Sequence, residues 1–81
     1  MRILKFSTRS CGQCKVVSRQ LNLAGVEYKE VMCEDHPDMA EQYGINHVPV
    51  VIRLNDKDEE TLRLNNLQSI LNAIKDGSLT E

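Results

Sequence analysis

Aromatic side chains are scarce in this sequence: there is no tryptophan, and Phe6, Tyr28 and Tyr43 are the whole supply. With 81 residues, the chain is expected to fold as one domain over 1–81 with a modest core, burying about 60–65 % of its unfolded surface. No stretch approaches the roughly 18 consecutive apolar residues of a membrane span. The N-terminus, Met1-Arg2-Ile3-Leu4-Lys5-Phe6, meets polar residues at once, which leaves no room for the apolar centre of a secretion signal. A soluble, cytoplasmic protein without membrane contact is the expectation. There is also no basic run, and the isoelectric point is acidic, so a nucleic-acid footprint is missing. Internal repeats, low-complexity tracts and linkers are likewise absent.

Three cysteines in such a chain are too few, and odd in number, for a disulfide framework. Two of them, Cys11 and Cys14, are separated by two residues. Cys33 is left over and reads as a small apolar residue at a strand end, with a regulatory thiol as the alternative. The net charge of −2 conceals an asymmetry: Arg2, Lys5, Arg9, Lys15, Arg19 and Lys29 precede Glu34, against only Glu27 and Glu30. Positive potential is thus expected to gather around the cysteine pair.

Residues 2–7 read as a short strand. From Gly12 the spacing turns helical, with Cys14, Val17, Leu21 and Ala24 on one side and Gly25 as a stop. Residues 26–32 alternate at period two, which predicts a second strand. Strand, helix and strand within about thirty residues form a βαβ crossover and a parallel pair. Asp35-His36-Pro37 predicts a short helix with Pro37 in its first turn, carrying Met39, Ala40 and Tyr43 and ending at Gly44. Residues 48–52 predict a third strand opened by Pro49, which cannot donate to a sheet ladder. After the turn residues Asn55-Asp56-Lys57-Asp58, residues 61–64 pair back as a hairpin. Asn65 or Asn66 then caps a last helix with the stripe Leu67, Ile70, Leu71 and Ile74. The order βαβαββα gives an α/β fold, a four-stranded mixed sheet with helices on both faces.

The cysteine pair falls where the first strand hands over to the first helix. Backbone N–H groups there lack intrahelical partners, and the helix dipole adds partial positive charge. A thiolate at that point is stabilised, and its pKa drops from about 8.5 to roughly 3.5–7.5. Cys11 takes this place, flanked by Arg9 and Lys15, while Cys14 lies one turn deeper on the same face. The pattern predicts two-step exchange: Cys11 attacks a disulfide in a partner, and Cys14 resolves the mixed disulfide. Gly12 and Gln13 keep the intervening loop small. The competing readings are a pair of inert structural cysteines and a metal site, for which Cys33, His36 and His47 are the additional ligands on offer, at a spacing typical of no zinc motif.

Three features in fixed order resemble the thioredoxin and glutaredoxin superfamily. They are Phe6-Ser7 followed after three residues by Cys11-Gly12-Gln13-Cys14; His36-Pro37 leading through Ala40 to Tyr43-Gly44-Ile45; and Val48-Pro49. The resemblance implies a minimal thioredoxin fold in which Pro49 is cis and packs beside Cys11, and in which the backbone of Val48 pairs with an extended substrate segment. On sequence alone, a trans proline opening a strand is the alternative. The activity implied is reduction of protein disulfides, with no cofactor and no metal, by a monomer that draws electrons from a flavoprotein disulfide reductase. Compact redoxins that serve ribonucleotide reductase are the best match in build. Arg53-Leu54-Asn55-Asp56 stands where glutaredoxins place Gly-Gly and an Asp for glutathione, which argues against glutathione dependence. A glutathione-dependent reductase and a non-catalytic metal- or partner-binding module remain the alternative functions.

Two departures from the thioredoxin pattern concern the site. Ser10 stands where thioredoxins carry tryptophan. Lys5 stands where they bury an acid in the first strand. Lys5 either points at the helix and lowers the pKa of Cys14 by its charge, or snorkels to the surface. Arg9, Ser10, Gly12, Gln13, His47, Val48 and Pro49 are the candidate substrate contacts, and Lys5 and Lys15 the candidates for tuning the thiols.

Overall fold

A computed structural model describes residues 1–80. The elements are β1 (Arg2–Ser7), α1 (Gly12–Leu23), β2 (Lys29–Met32), α2 (Pro37–Gln42), β3 (Val50–Leu54), β4 (Glu60–Leu64) and α3 (Leu67–Asp76). The sheet order is β2-β1-β3-β4. β1 runs parallel to β2 and antiparallel to β3, and β3 and β4 form an antiparallel hairpin. This is the predicted βαβαββα arrangement.

Side chains of a strand alternate between faces, and β1 uses both. Leu4 and Phe6 pack with Val31, Val50, Ile52 and Leu54 in a core layer that Met39 and Tyr43 of the α2 region close. Ile3 faces the other way, into a layer made with Val17 and Leu21 of α1 and Ile70 and Ala73 of α3. Lys5 and Ser7 share the face of Ile3. Helices therefore cover both sides of the sheet: α1 and α3 on one, α2 on the other.

Local chemistry sets the boundaries. Gly25 and Gly77 follow α1 and α3 with φ of +72° and +82°, a left-handed conformation that glycine adopts without steric cost. Asn66, of the two asparagines, caps α3: its side chain accepts from the Ser69 N–H at 2.8 Å. His36 occupies the cap position of α2 without a side-chain cap bond, and Pro37 follows in the first turn.

Two predicted boundaries are corrected. The second strand begins at Lys29 and not at Val26, because the Val26 N–H donates to the Leu21 carbonyl at 3.0 Å. That bond closes the C-terminal end of α1 and withholds Val26 from the ladder. The third strand spans Val50–Leu54 and not 48–52, because Pro49 has no N–H to give to the ladder; the Val48–Pro49 peptide bond is cis.

Candidate active site

The first helix starts at the disulfide. Cys11 is its N-cap, with extended backbone angles, and its Sγ accepts the Cys14 N–H at 3.0 Å. Cys11 and Cys14 are joined, their Cα atoms 5.3 Å apart. The two sulfurs are unequally placed: Cys11 is half-buried, whereas Cys14 is only 2 % exposed. Gly12, Gln13 and Ser10 are exposed around them.

The loop that carries Cys11 is pinned to the segment after β2. The Cys33 N–H donates to the Ser7 carbonyl at 2.9 Å. The Arg9 N–H donates to the Glu34 carboxylate at 3.0 Å, and the Arg9 guanidinium grips both oxygens of Asp35 at 2.7 and 2.8 Å. Asp35 accordingly holds the guanidinium above the usual arginine range. The positive potential around the pair is thus smaller than residue counting suggests, because Arg9 is answered by Asp35. Lys15 is exposed on the first turn of α1 with no ion-pair partner among the described residues, and it lines the cleft beside the cysteines.

Lys5 does not reach the surface. It is 1 % exposed, and its Nζ donates to Ser7 Oγ and to Glu30 Oε2, both at 2.8 Å. Its neighbours follow from the register. Glu30 lies directly opposite Lys5 in the parallel ladder, on the same face, and Ser7 is two residues along the strand. Above them, Ser18 of α1, one turn after Cys14, donates to the same Glu30 oxygen at 3.2 Å. A cleft of about 240 Å³ between α1 and the sheet edge brings Lys5, Cys11, Cys14, Ser18 and Glu30 together. Glu30 and Ser18 were not singled out from the sequence. The available signals were the position of Ser18 four residues after Cys14 on a helix and the facing position of Glu30 once the parallel register is known.

The hydrogen bond from Lys5 holds the Glu30 carboxyl below its ordinary 4.5, against the opposing effect of burial. A carboxylate depressed in the folded state stabilises the fold above its unfolded value, and that contribution is lost as pH falls through the folded value. The urea midpoint should therefore fall on acidification below 4.5, and the Glu30→Gln variant should show a flatter acid limb. Equal slopes in the two proteins would show that this pair does not couple folding to pH.

The remaining candidates, His47, Val48, Pro49 and Cys33, lie outside the lining of the cysteine cleft. The register Phe6↔Val50 puts the cis Pro49 at the end of the sheet from which the cysteine loop departs. Pro49 is buried and Val48 half-buried. His47 is exposed, but its ring bridges two loops: Nε2 donates to the Asn65 carbonyl at 2.8 Å, and Nδ1 lies 3.0 Å from Asn46 Oδ1. Cys33 packs against the α2-side core layer, and burial, helped by Glu34, pushes its thiol up. Among the described residues, no three His, Cys, Asp or Glu side chains gather as a metal site.

The sequence model of the glutaredoxin family matches residues 3–58. The chain belongs to the glutaredoxin family. It is also 35 % identical over 63 residues to the SPbeta prophage-derived thioredoxin-like protein YosR of Bacillus subtilis, covering 78 % of this chain and 79 % of that one. A thioredoxin of Chlamydia caviae is 32 % identical over 62 residues, covering 70 % of this chain and 61 % of that one. Among solved structures, a thioredoxin mutant from Halobacterium salinarum superposes with a TM-score of 0.78 at 25 % identity, over 98 % of this chain and 74 % of that one. The glutaredoxin-like NrdH-redoxin from Escherichia coli superposes with a TM-score of 0.72 at 24 % identity, over 94 % of this chain and 93 % of that one. This glutaredoxin-family chain has the thioredoxin fold and is a thiol–disulfide oxidoreductase acting on disulfide substrates. No helix among the described residues is long and apolar enough to cross a membrane.

Proposed function

We propose that the chain reduces protein disulfides through Cys11 as the attacking thiolate and Cys14 as the resolving thiol. The observation that carries this assignment is the asymmetry of the pair: the accessible sulfur is the one that receives a helix-terminal N–H, and its partner is buried behind it. In the reduced protein that N–H, the helix dipole and Lys15 favour the ionised form of Cys11. The thiolate attacks one sulfur of the substrate; a new S–S bond forms, the substrate disulfide breaks, and the other substrate sulfur leaves with the electron pair. Cys14 then loses its proton and attacks Cys11 Sγ, which closes the internal disulfide and releases the second substrate sulfur as a thiolate. Two electrons have passed from the pair to the substrate, with no bound cofactor and no metal.

The backbone at Val48, beside the cis Pro49, is suited to pair with an extended substrate segment, with Ser10, Gly12 and Gln13 as the opposite rim. Lys5 acts on the resolving sulfur. In this reading the protein is a cytoplasmic, single-domain monomer, recharged by a flavoprotein disulfide reductase, with ribonucleotide reductase among its substrates. Arg53 favours this over a glutathione-dependent role: it is committed to Thr61 Oγ1 and the Ser78 carbonyl, away from the cysteine cleft.

The reading is tested by the Cys14→Ser variant. Without a resolving thiol the mixed disulfide should persist, so the variant should retain covalently bound substrates that dithiothreitol releases. Capture of nothing, together with stoichiometric zinc in the purified protein, would replace this reading with a metal-binding module.

A further inference from the structure

We propose that Glu30, oriented by Ser18, sets the redox poise of the cysteine pair by acting as the counter-charge to the buried Lys5. The inference rests on the exchange chemistry assigned to Cys11 and Cys14, and it concerns what governs the balance between their disulfide and dithiol forms.

The argument begins with hydrogen-bond capacity. An ammonium has three N–H donors, and the structure gives acceptors to two of those of Lys5, Ser7 Oγ and Glu30 Oε2. One donor is left, in a group that shares its cleft with Cys14. While the pair is a disulfide, neither sulfur carries charge, and the remaining donor has no anion to meet. Reduction changes this: the disulfide takes up two electrons, the S–S bond breaks, and each sulfur becomes a thiolate or, with a proton, a thiol. A buried cation favours the thiolate of Cys14 and so favours the reduced form. Lys15 is exposed, where solvent and salt screen its effect. Lys5, at 1 % exposure, is not screened in that way.

Glu30 opposes that pull. Its carboxylate holds the Lys5 ammonium at 2.8 Å and receives a second hydrogen bond from Ser18. Ser18 stands one turn beyond Cys14 on α1, so the helix that presents the resolving sulfur also fixes the carboxylate that offsets the lysine. Glu30 is a tuning residue that acts through Lys5 and does not itself touch the reacting sulfurs. Removal of its charge should leave Lys5 free to stabilise the Cys14 thiolate. Removal of Lys5 should do the reverse.

The test is the disulfide–dithiol equilibrium of the purified protein in dithiothreitol redox buffers at neutral pH, read by alkylation of the free thiols. No protein substrate is involved, so the result stands whether or not a given substrate is reduced. A wild-type protein that fails to reduce any protein disulfide would bear on the exchange reading alone. Glu30→Gln is close in shape at a partly exposed position. It should shift the equilibrium toward the dithiol by about tenfold, which corresponds to about 30 mV for this two-electron couple. Lys5→Met should shift it toward the disulfide, and the double variant should follow Lys5→Met. Ser18→Ala, which keeps both charges and only loosens the carboxylate, should move in the direction of Glu30→Gln by a smaller factor, and supplies the test should Glu30→Gln not fold. Equilibria of Glu30→Gln and Lys5→Met that stay within about twofold of wild type, or that move in the same direction, would overturn the proposal.

Discussion

Replacing Cys11 by serine should lower the rate of insulin reduction by roughly three orders of magnitude or more while leaving the fold in place. Serine forms no S–S bond with a substrate, so the first step has no nucleophile. Cys14 cannot take over, because it is 2 % exposed behind the first turn of α1. The substitution is also structurally mild. Residue 11 caps the helix by accepting the Cys14 N–H, and serine is among the preferred residues at such a position. Loss of turnover with unchanged helical circular dichroism is therefore the expected pair of results. In the wild type, the pH profile of iodoacetamide alkylation should place the ionisation of Cys11 below the ordinary thiol value of about 8.5. A Cys11→Ser protein that still accelerated insulin reduction would remove this cysteine from the mechanism.

The largest effect on stability is expected at Phe6. Its ring is fully buried and meets Tyr43 at a centroid distance of 5.6 Å. Phe6→Ala should cost about 3–5 kcal/mol, the range for deleting a buried aromatic and leaving a cavity. Domains of this kind hold about 5–15 kcal/mol in total, so the variant should be partly unfolded at ambient temperature or close to it. Leu23, at 76 % exposure on the outer side of α1, supplies the control: Leu23→Ala should change stability by no more than about 0.5 kcal/mol. Urea denaturation followed by circular dichroism measures both. Similar midpoints for the two variants would show that the layer beneath α2 is not the stabilising one.

The order of elements was legible because the hydrophobic period changes sharply along the chain. Ile3-Leu4 and Val50-Val51-Ile52 are short apolar runs, Val17 and Leu21 repeat at helical spacing, and Gly25 and Gly77 mark helix ends. The cysteine pair was legible because its two-residue spacing meets a strand-to-helix boundary. What misled was alternation without pairing. Val26 to Tyr28 continue the period-two pattern of β2, yet Val26 is taken by the end of α1. What could not be read was contact across elements. Lys5 is an ordinary strand lysine until the parallel register sets Glu30 opposite it and α1 lowers Ser18 onto both. Arg9 likewise reads as a free cation until the loop after β2 brings Asp35 to it.

The place of β1 in the sheet order has a consequence for how the reactive loop behaves over time. β1 has a hydrogen-bonded strand on either side, whereas β2 and β4 each keep one open edge. Fluctuations that peel a strand away begin at such margins and cost less than disruption of the interior. The segment bearing the sulfurs thus departs from an interior strand, and fraying at the β4 margin leaves its anchorage intact.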